Sequence, residues 1–318
     1  MLKPYFVIRA LDTLSDNHGM FTLIALDQRS TIYNILNEKG DPQEVQNTHI
    51  KEIKLDIIRH LAPFSSGMLL DPDIAAPAAV RHGALPGNVG LIITLEASPY
   101  RLRHDIYAPE FVQGGGPELV RSLGGVAAKL LIRYPANDAK AQREMQEFVA
   151  NIYEDCHTLG LAFVLEVIID GADNAKTFEG TLLQAAEALS PSCDIFKTAF
   201  PAYDTNDEEH AVSICQEFDS KCEVPWVLLT GGIEYPVFKR QLEIACANGA
   251  SGFLAGRTIW LDSVYADNPS QRQQILKDIS QVRLRECINI AHKYGTPWRQ
   301  KYTHLIQIDE SLTNTNSA

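Results

Sequence analysis

Eight short apolar runs recur along the chain, at 21–27, 67–71, 90–96, 127–134, 162–169, 194–200, 225–230 and 252–257, and almost every one ends on a polar or charged residue. Between most of them, apolar residues return at helical spacing. Val45, Ile50, Ile53, Ile57, Ile58 and Leu61 predict a helix over 42–61, with Asp41 as its N-cap and Pro42 at the first helical position. Further helices are predicted over 138–158, 174–189, 207–218, 236–248 and 270–294. The link between the second and third runs is rich in Pro, Ala and Gly and predicts none. The long segment 97–126, with Gln113-Gly114-Gly115-Gly116-Pro117 inside it, predicts a cover over a site. Its glycines lack the Gly-Lys-Ser/Thr of a phosphate loop. Residues after Leu312 predict a frayed tail. Strand–helix alternation repeated eight times predicts an α/β fold, the closed parallel (β/α)8 TIM barrel. The expectation is one domain over 1–318, with a core at about 21–260 and a helical extension at about 261–310.

Barrels carry their chemistry where strands end. The polar residues in or at the ends of the eight runs are Asp27, Asp71, Glu96, Lys129, Glu166, Lys197, Thr230 and Arg257. Alternation places Lys197 on one face with Ile195 and Ala199, Lys129 with Ala127 and Leu131, and Glu166 with Val164 and Ile168. Each charged group therefore shares its face with apolar or small neighbours, as a side chain entering a packed interior does. A structural ion pair with a spare partner is one explanation of two lysines and a carboxylate there. Amine chemistry is the other, because a second ammonium and partial desolvation both favour the free amine that a Schiff base needs. Thr230-Gly231-Gly232 after the seventh run and Gly256-Arg257 after the eighth form a candidate phosphate site, since loops at those positions in barrels often bind phosphate through backbone N–H groups.

Composition narrows the partners. A formal net charge of −12 argues against a nucleic-acid or anionic-membrane surface. No apolar run approaches the roughly 20 residues needed to span a bilayer, and Met1-Leu2-Lys3-Pro4-Tyr5 does not open a signal peptide. The six cysteines lack metal-ligand spacing and predict reduced, mostly buried thiols in a cytoplasmic protein. No strand-end histidine cluster suggests zinc, so neither a metal nor a cofactor is expected. The expected partner is a small sugar phosphate, with self-association into a homo-oligomer left open.

Leu26-Asp27-Gln28-Arg29, Lys129-Leu130-Leu131, Phe196-Lys197, Pro225–Thr230 and the stretch from Gly249 to Trp260, with Phe253-Leu254-Ala255-Gly256-Arg257 at its centre, resemble class I aldolases of the tagatose-bisphosphate and sulfofructose-phosphate group. The resemblance runs from about Phe21 to Trp260, with a weaker echo at Thr296-Pro297-Trp298. It implies a barrel that splits a ketose 1-phosphate into dihydroxyacetone phosphate and an aldehyde; that the ketose carries an anionic C6 group, so that the aldehyde has three carbons, is expected from Gln28-Arg29. By motif position it implies Lys197 as the Schiff-base lysine, Glu166 as the proton-transfer carboxylate, Asp27 and Lys129 as supporting polar groups, and Thr230, Gly231, Gly256 and Arg257 at the C1 phosphate. Gln28 and Arg29, at the mouth of the first strand, are the candidates for the far anionic end; the alternative is that Arg29 pairs with a surface carboxylate. The family commonly shows Lys-Val-Glu-x-Pro, whereas this chain has Lys197-Thr198-Ala199-Phe200-Pro201. Glu96, Asp71 and Asp170 are the candidates to replace the missing carboxylate. The competing functional reading is a catalytically weak sugar-phosphate-binding regulator on the same barrel, which needs Thr230 and Arg257 but not the lysines.

Overall fold

The computed structural model describes residues 3–204 and 207–302. Its centre is a closed barrel of eight parallel strands in sequence order: β1 (Phe21–Leu26), β2 (Gly67–Leu70), β3 (Gly90–Thr94), β4 (Ala127–Pro135), β5 (Ala162–Asp170), β6 (Ile195–Thr198), β7 (Trp226–Leu228) and β8 (Gly252–Ala255). All eight predicted runs are strands. Apart from the outer ends of β4 and β5, each is buried on both faces because helices wrap the outside while side chains fill the inside, which explains why they read as continuous apolar runs rather than alternating ones.

The longer predicted helices form with local capping. Asp138, Asn174 and Asp207 accept hydrogen bonds from backbone N–H groups in the first turns of the helices Ala139–Thr158, Ala175–Leu189 and Glu208–Lys221. The first long helix, Gln43–Leu61, departs from expectation: Pro42 rather than Asp41 stands at its N-cap. The Asp41 carboxylate instead lies 2.6 Å from His49 Nδ1, about two turns further along. A seven-residue helix, Ala75–Arg81, occupies the link after β2 where none was predicted; Asp71 accepts from the N–H groups of Ile74 and Ala75 and starts it. The predicted helix over 270–294 is helical throughout but widens to a π turn at Leu276–Ser280. Residues 303–310 of the expected extension and the tail after Leu312 lie outside the described residues.

An N-terminal helix, Tyr5–Leu14, turns Val7, Leu11 and Leu14 inward. Leu14 sits against Gly90 at the start of β3, where a β-carbon would stand 2.6 Å from the leucine Cδ2. Leu14 also lies against Gly67 at the start of β2. The small residues let this helix close the end of the barrel opposite the strand termini that carry the polar groups. All six cysteines are free and buried. No helix among the described residues is long and apolar enough to cross a membrane.

Candidate active site

Strand register brings the charged residues together. Glu166 on β5 pairs in register with Lys197 on β6, and register partners project to the same face and level. Lys129 on β4 pairs with Val164, two residues before Glu166, so its long side chain reaches along the barrel interior toward the strand ends. There its ammonium meets three carboxylates: Glu166 Oε2 at 2.8 Å, Asp27 Oδ2 at 3.2 Å and Glu96 Oε1. Lys197 Nζ donates to the same Glu166 oxygen at 2.8 Å. One carboxylate oxygen therefore bridges both lysines. Glu96 is anchored further by the Leu131 N–H, which donates to its other oxygen at 3.1 Å.

The electrostatics follow from this packing. Burial works against charge on Lys129, yet Glu166, Glu96 and Asp27 outweigh it and hold the ammonium well above the ordinary lysine range. Burial likewise opposes ionisation of Glu166 and Asp27. The two ammonium groups, Lys129 first, overcome it and keep both carboxyls below their usual range. The centre is thus a cluster of two lysines and three carboxylates in which Lys129, Asp27 and Glu166 hold their charges.

Of the three carboxylates that might replace the one missing at position 199, only Glu96 reaches this cluster. Asp71 points out of the barrel to Lys54, a fully buried lysine on the helix Gln43–Leu61 that also donates to the Leu26 carbonyl at 2.9 Å. Asp170 lies on the rim, 4.0 Å from Arg133. Asp71 is therefore removed from the strand-end group by its outward parity, and Lys54 takes a structural place just behind Asp27.

The predicted phosphate residues also converge. The Gly256 N–H donates to Thr230 Oγ1 at 3.4 Å, and Arg257 Nη2 donates to the Gly231 carbonyl at 3.2 Å. Gly232 has φ +81° and lies so close that a β-carbon would stand 3.2 Å from the Arg257 guanidinium carbon. A side chain there would be strained by the positive φ and would push the Arg257 guanidinium aside by a few tenths of an ångström. Gln28 lies against Gly256, its Nε2 3.3 Å from where a β-carbon would be, and its Oε1 has no partner among the described residues. That links the end of β1 to the end of β8.

Arg29 is placed differently from the rest. Its guanidinium donates to Asp73 Oδ2 at 2.5 Å and to the Glu96 carbonyl at 3.0 Å, and its Nε has no partner among the described residues. A cleft of about 250 Å³ collects Asp27, Gln28, Arg29, Glu96, Lys129, Glu166 and Arg257 on its wall. The segment predicted as a cover supplies Ala97, Ser98 and Tyr100 to the same wall. Lys197, Thr230, Gly231, Gly232 and Gly256 are outside that wall; Lys197 meets it through Glu166. Sequence reading put Glu96 among the strand-end polar groups without its partner. Lys54 it missed, although its spacing from Ile50, Ile57 and Ile58 sets it on the apolar helix face.

A closed (β/α)8 barrel with lysines and carboxylates clustered inside its strand ends has the architecture of a lyase acting on carbonyl compounds. A model of the DeoC/LacD family of aldolases matches residues 21–262, and the chain belongs to that family. It is an aldolase of carbohydrate metabolism. Among relatives, tagatose 1,6-diphosphate aldolase 1 of Streptococcus mutans is 24% identical over 319 residues, covering 92% of this chain and 97% of its own. Tagatose 1,6-diphosphate aldolase of Lactococcus lactis is 21% identical over 321 residues, with the same coverage. Among solved structures, fructose-bisphosphate aldolase from Slackia heliotrinireducens superposes with a TM-score of 0.61 at 17% identity, covering 91% of this chain and 90% of that one. A Corynebacterium glutamicum protein does so with a TM-score of 0.62 at 16% identity, covering 92% and 93%. Both structural likenesses bear on the barrel fold.

Proposed function

We propose that this aldolase works through a Schiff base on Lys197 and cleaves a ketose 1-phosphate that carries a second anionic group at C6. The observation behind this is the unequal company of the two lysines. Lys129 is held by three carboxylates, whereas Lys197 meets only Glu166 among the described residues. A lysine so heavily paired is a fixed cation. The other, with one carboxylate positioned to take its proton, is the better nucleophile.

As the free amine, Lys197 attacks the C2 carbonyl, and the carbinolamine loses water to give an iminium. A base removes the C4 hydroxyl proton, the C3–C4 bond breaks, and its electrons pass into the iminium as an enamine while the aldehyde departs. Protonation at C3 and hydrolysis release dihydroxyacetone phosphate. Glu166 lies between the cleft and the amine, which suits proton traffic in carbinolamine dehydration and iminium hydrolysis. Asp27 is the second candidate base, near C3 or C4. Lys129 keeps its charge and binds substrate oxygens. Thr230, Gly231, Gly232, Gly256 and Arg257 receive the C1 phosphate through backbone and side-chain donors.

At the other end, Gln28 and Arg29 take the C6 phosphate or sulfonate, Arg29 exchanging the partly exposed Asp73 for the substrate oxyanion. The relatives named tagatose 1,6-diphosphate aldolase favour a phosphate at both ends. Steady-state kinetics of Lys197→Met and Arg29→Ala on tagatose 1,6-bisphosphate, 6-deoxy-6-sulfofructose 1-phosphate and fructose 1-phosphate test both halves. Lys197→Met should abolish cleavage of all three with the fold retained. Arg29→Ala should raise KM for the two C6-anionic substrates and leave fructose 1-phosphate nearly unchanged. Equal losses on all three would remove Arg29 from the specificity site.

A further inference from the structure

Beside the catalytic cleft lies a larger pocket of about 910 Å³, within the roughly 300–1,000 Å³ typical of small-molecule sites. Arg29, Ser30 and Ser98 line both cavities and form the wall between them. None of the residues assigned to the C1 phosphate reaches this second pocket.

Its charge is one-sided in a chain whose formal balance is −12. Three cations, Arg29, Lys51 and Arg81, face it against one carboxylate, Asp73. That carboxylate is already matched by Arg29 at 2.5 Å. Among the described residues, the side chains of Lys51 and Arg81 have no ion-pair or hydrogen-bond partner. The Nε of Arg29, a side chain more than nine-tenths buried, is likewise unpartnered. Ile74 and Pro77 add apolar surface to the lining. Unpaired cations around a concave, half-apolar space are the chemistry that recognises an organic phosphate.

We propose that this pocket is a second anion site, which binds a phosphate monoester of about hexose size in addition to the ketose being cleaved. Lys51 and Arg81 take the phosphate and the carbon body lies along Ile74 and Pro77, while Arg29 stays with the catalytic cleft as part of the shared wall. Glucitol 6-phosphate is a suitable probe, because it has the phosphate and the six-carbon body but no carbonyl with which to form an imine. Its binding is therefore informative whether or not Lys197 performs Schiff-base chemistry.

Isothermal titration of the wild type should resolve binding at this pocket. Lys51→Ala/Arg81→Ala should weaken it by about 10- to 100-fold, the effect of losing charge-assisted contacts from two side chains. Lys51→Arg/Arg81→Lys should retain it. The kcat/KM for ketose phosphate cleavage should stay within about twofold in the alanine pair, since neither residue touches the reacting centre. An isotherm unchanged in the alanine pair would overturn the proposal. So would a parallel fall in binding and kcat/KM, which would make the pocket an arm of the catalytic cleft.

Discussion

Lys129→Met isolates what the central cation does. Methionine fills a similar volume, so the change is chiefly the loss of one charge in a side chain only 1% exposed. The three carboxylates it leaves differ in what still holds them. Glu166 keeps Lys197 at 2.8 Å, and Glu96 keeps the Leu131 N–H at 3.1 Å. Asp27 loses its one hydrogen-bonded partner among the described residues, since its Oδ1 already has none. Removing one member of a buried ion pair typically costs about 3–5 kcal/mol, a large share of the roughly 5–15 kcal/mol that stabilises a folded domain. In the wild type, Asp27 and Glu166 have lowered pKa values, so their contribution to stability is present above their unfolded values, near pH 4. It is lost as pH falls through the lowered folded values. Without Lys129, desolvation and mutual repulsion push the carboxyls upward instead. The variant then takes up protons on folding, and its deficit should be largest near pH 7.5 and shrink toward pH 5. Urea unfolding followed through the buried Trp226, Trp260 and Trp298 at the two pH values measures this. Adding Asp27→Asn should recover part of the loss at pH 7.5. A deficit below about 1 kcal/mol, or one independent of pH, would refute the charged grouping of Lys129 with Asp27 and Glu166.

Glu166→Gln should still form an imine but slow turnover by about 10²- to 10⁴-fold, measured as kcat beside the yield of reductively trapped enzyme. Lys197→Met removes an ion pair whose carboxylate stays on Lys129, so in the same urea assay it should cost about 1 kcal/mol, well short of Lys129→Met. Gly252→Ala should destabilise by roughly 3 kcal/mol or more, because φ is +123° and the new β-carbon would stand 2.2 Å from the Phe21 carbonyl oxygen. Thermal unfolding would show it, and a melting temperature equal to that of wild type would contradict the close β1–β8 approach.

The eight strands were legible because every one is sandwiched between core and helices and so reads as an apolar run with a polar end. The helix Tyr5–Leu14 carries the same kind of signal, with Val7, Leu11 and Leu14 on one face, but without a neighbouring strand run it had no place in the alternation. The helices Ala75–Arg81 and Pro117–Ser122 are too short for periodicity, and each contains a proline. Alternation placed Lys129, Glu166 and Lys197 on one interior face because parity is a local property of a strand. It could not order their partners, since which carboxylate meets which lysine depends on register between strands. Arg29 shows the limit most clearly: its pairing with Asp73 spans 44 residues and is set by how the loops after β1 and β2 meet. Lys54 was hidden by the habit of assigning helix lysines to the surface, though its position among Ile50, Ile57 and Ile58 marks the inner face.

The division of labour between the two lysines is most directly tested by reductive trapping. The enzyme is incubated with dihydroxyacetone phosphate and borohydride, digested, and mapped by mass spectrometry. A stable adduct is predicted on the peptide carrying Lys197 in the wild type and in Lys129→Met, and on no peptide in Lys197→Met. An adduct on Lys129, or cleavage activity that persists with no adduct on either lysine, would contradict the mechanism.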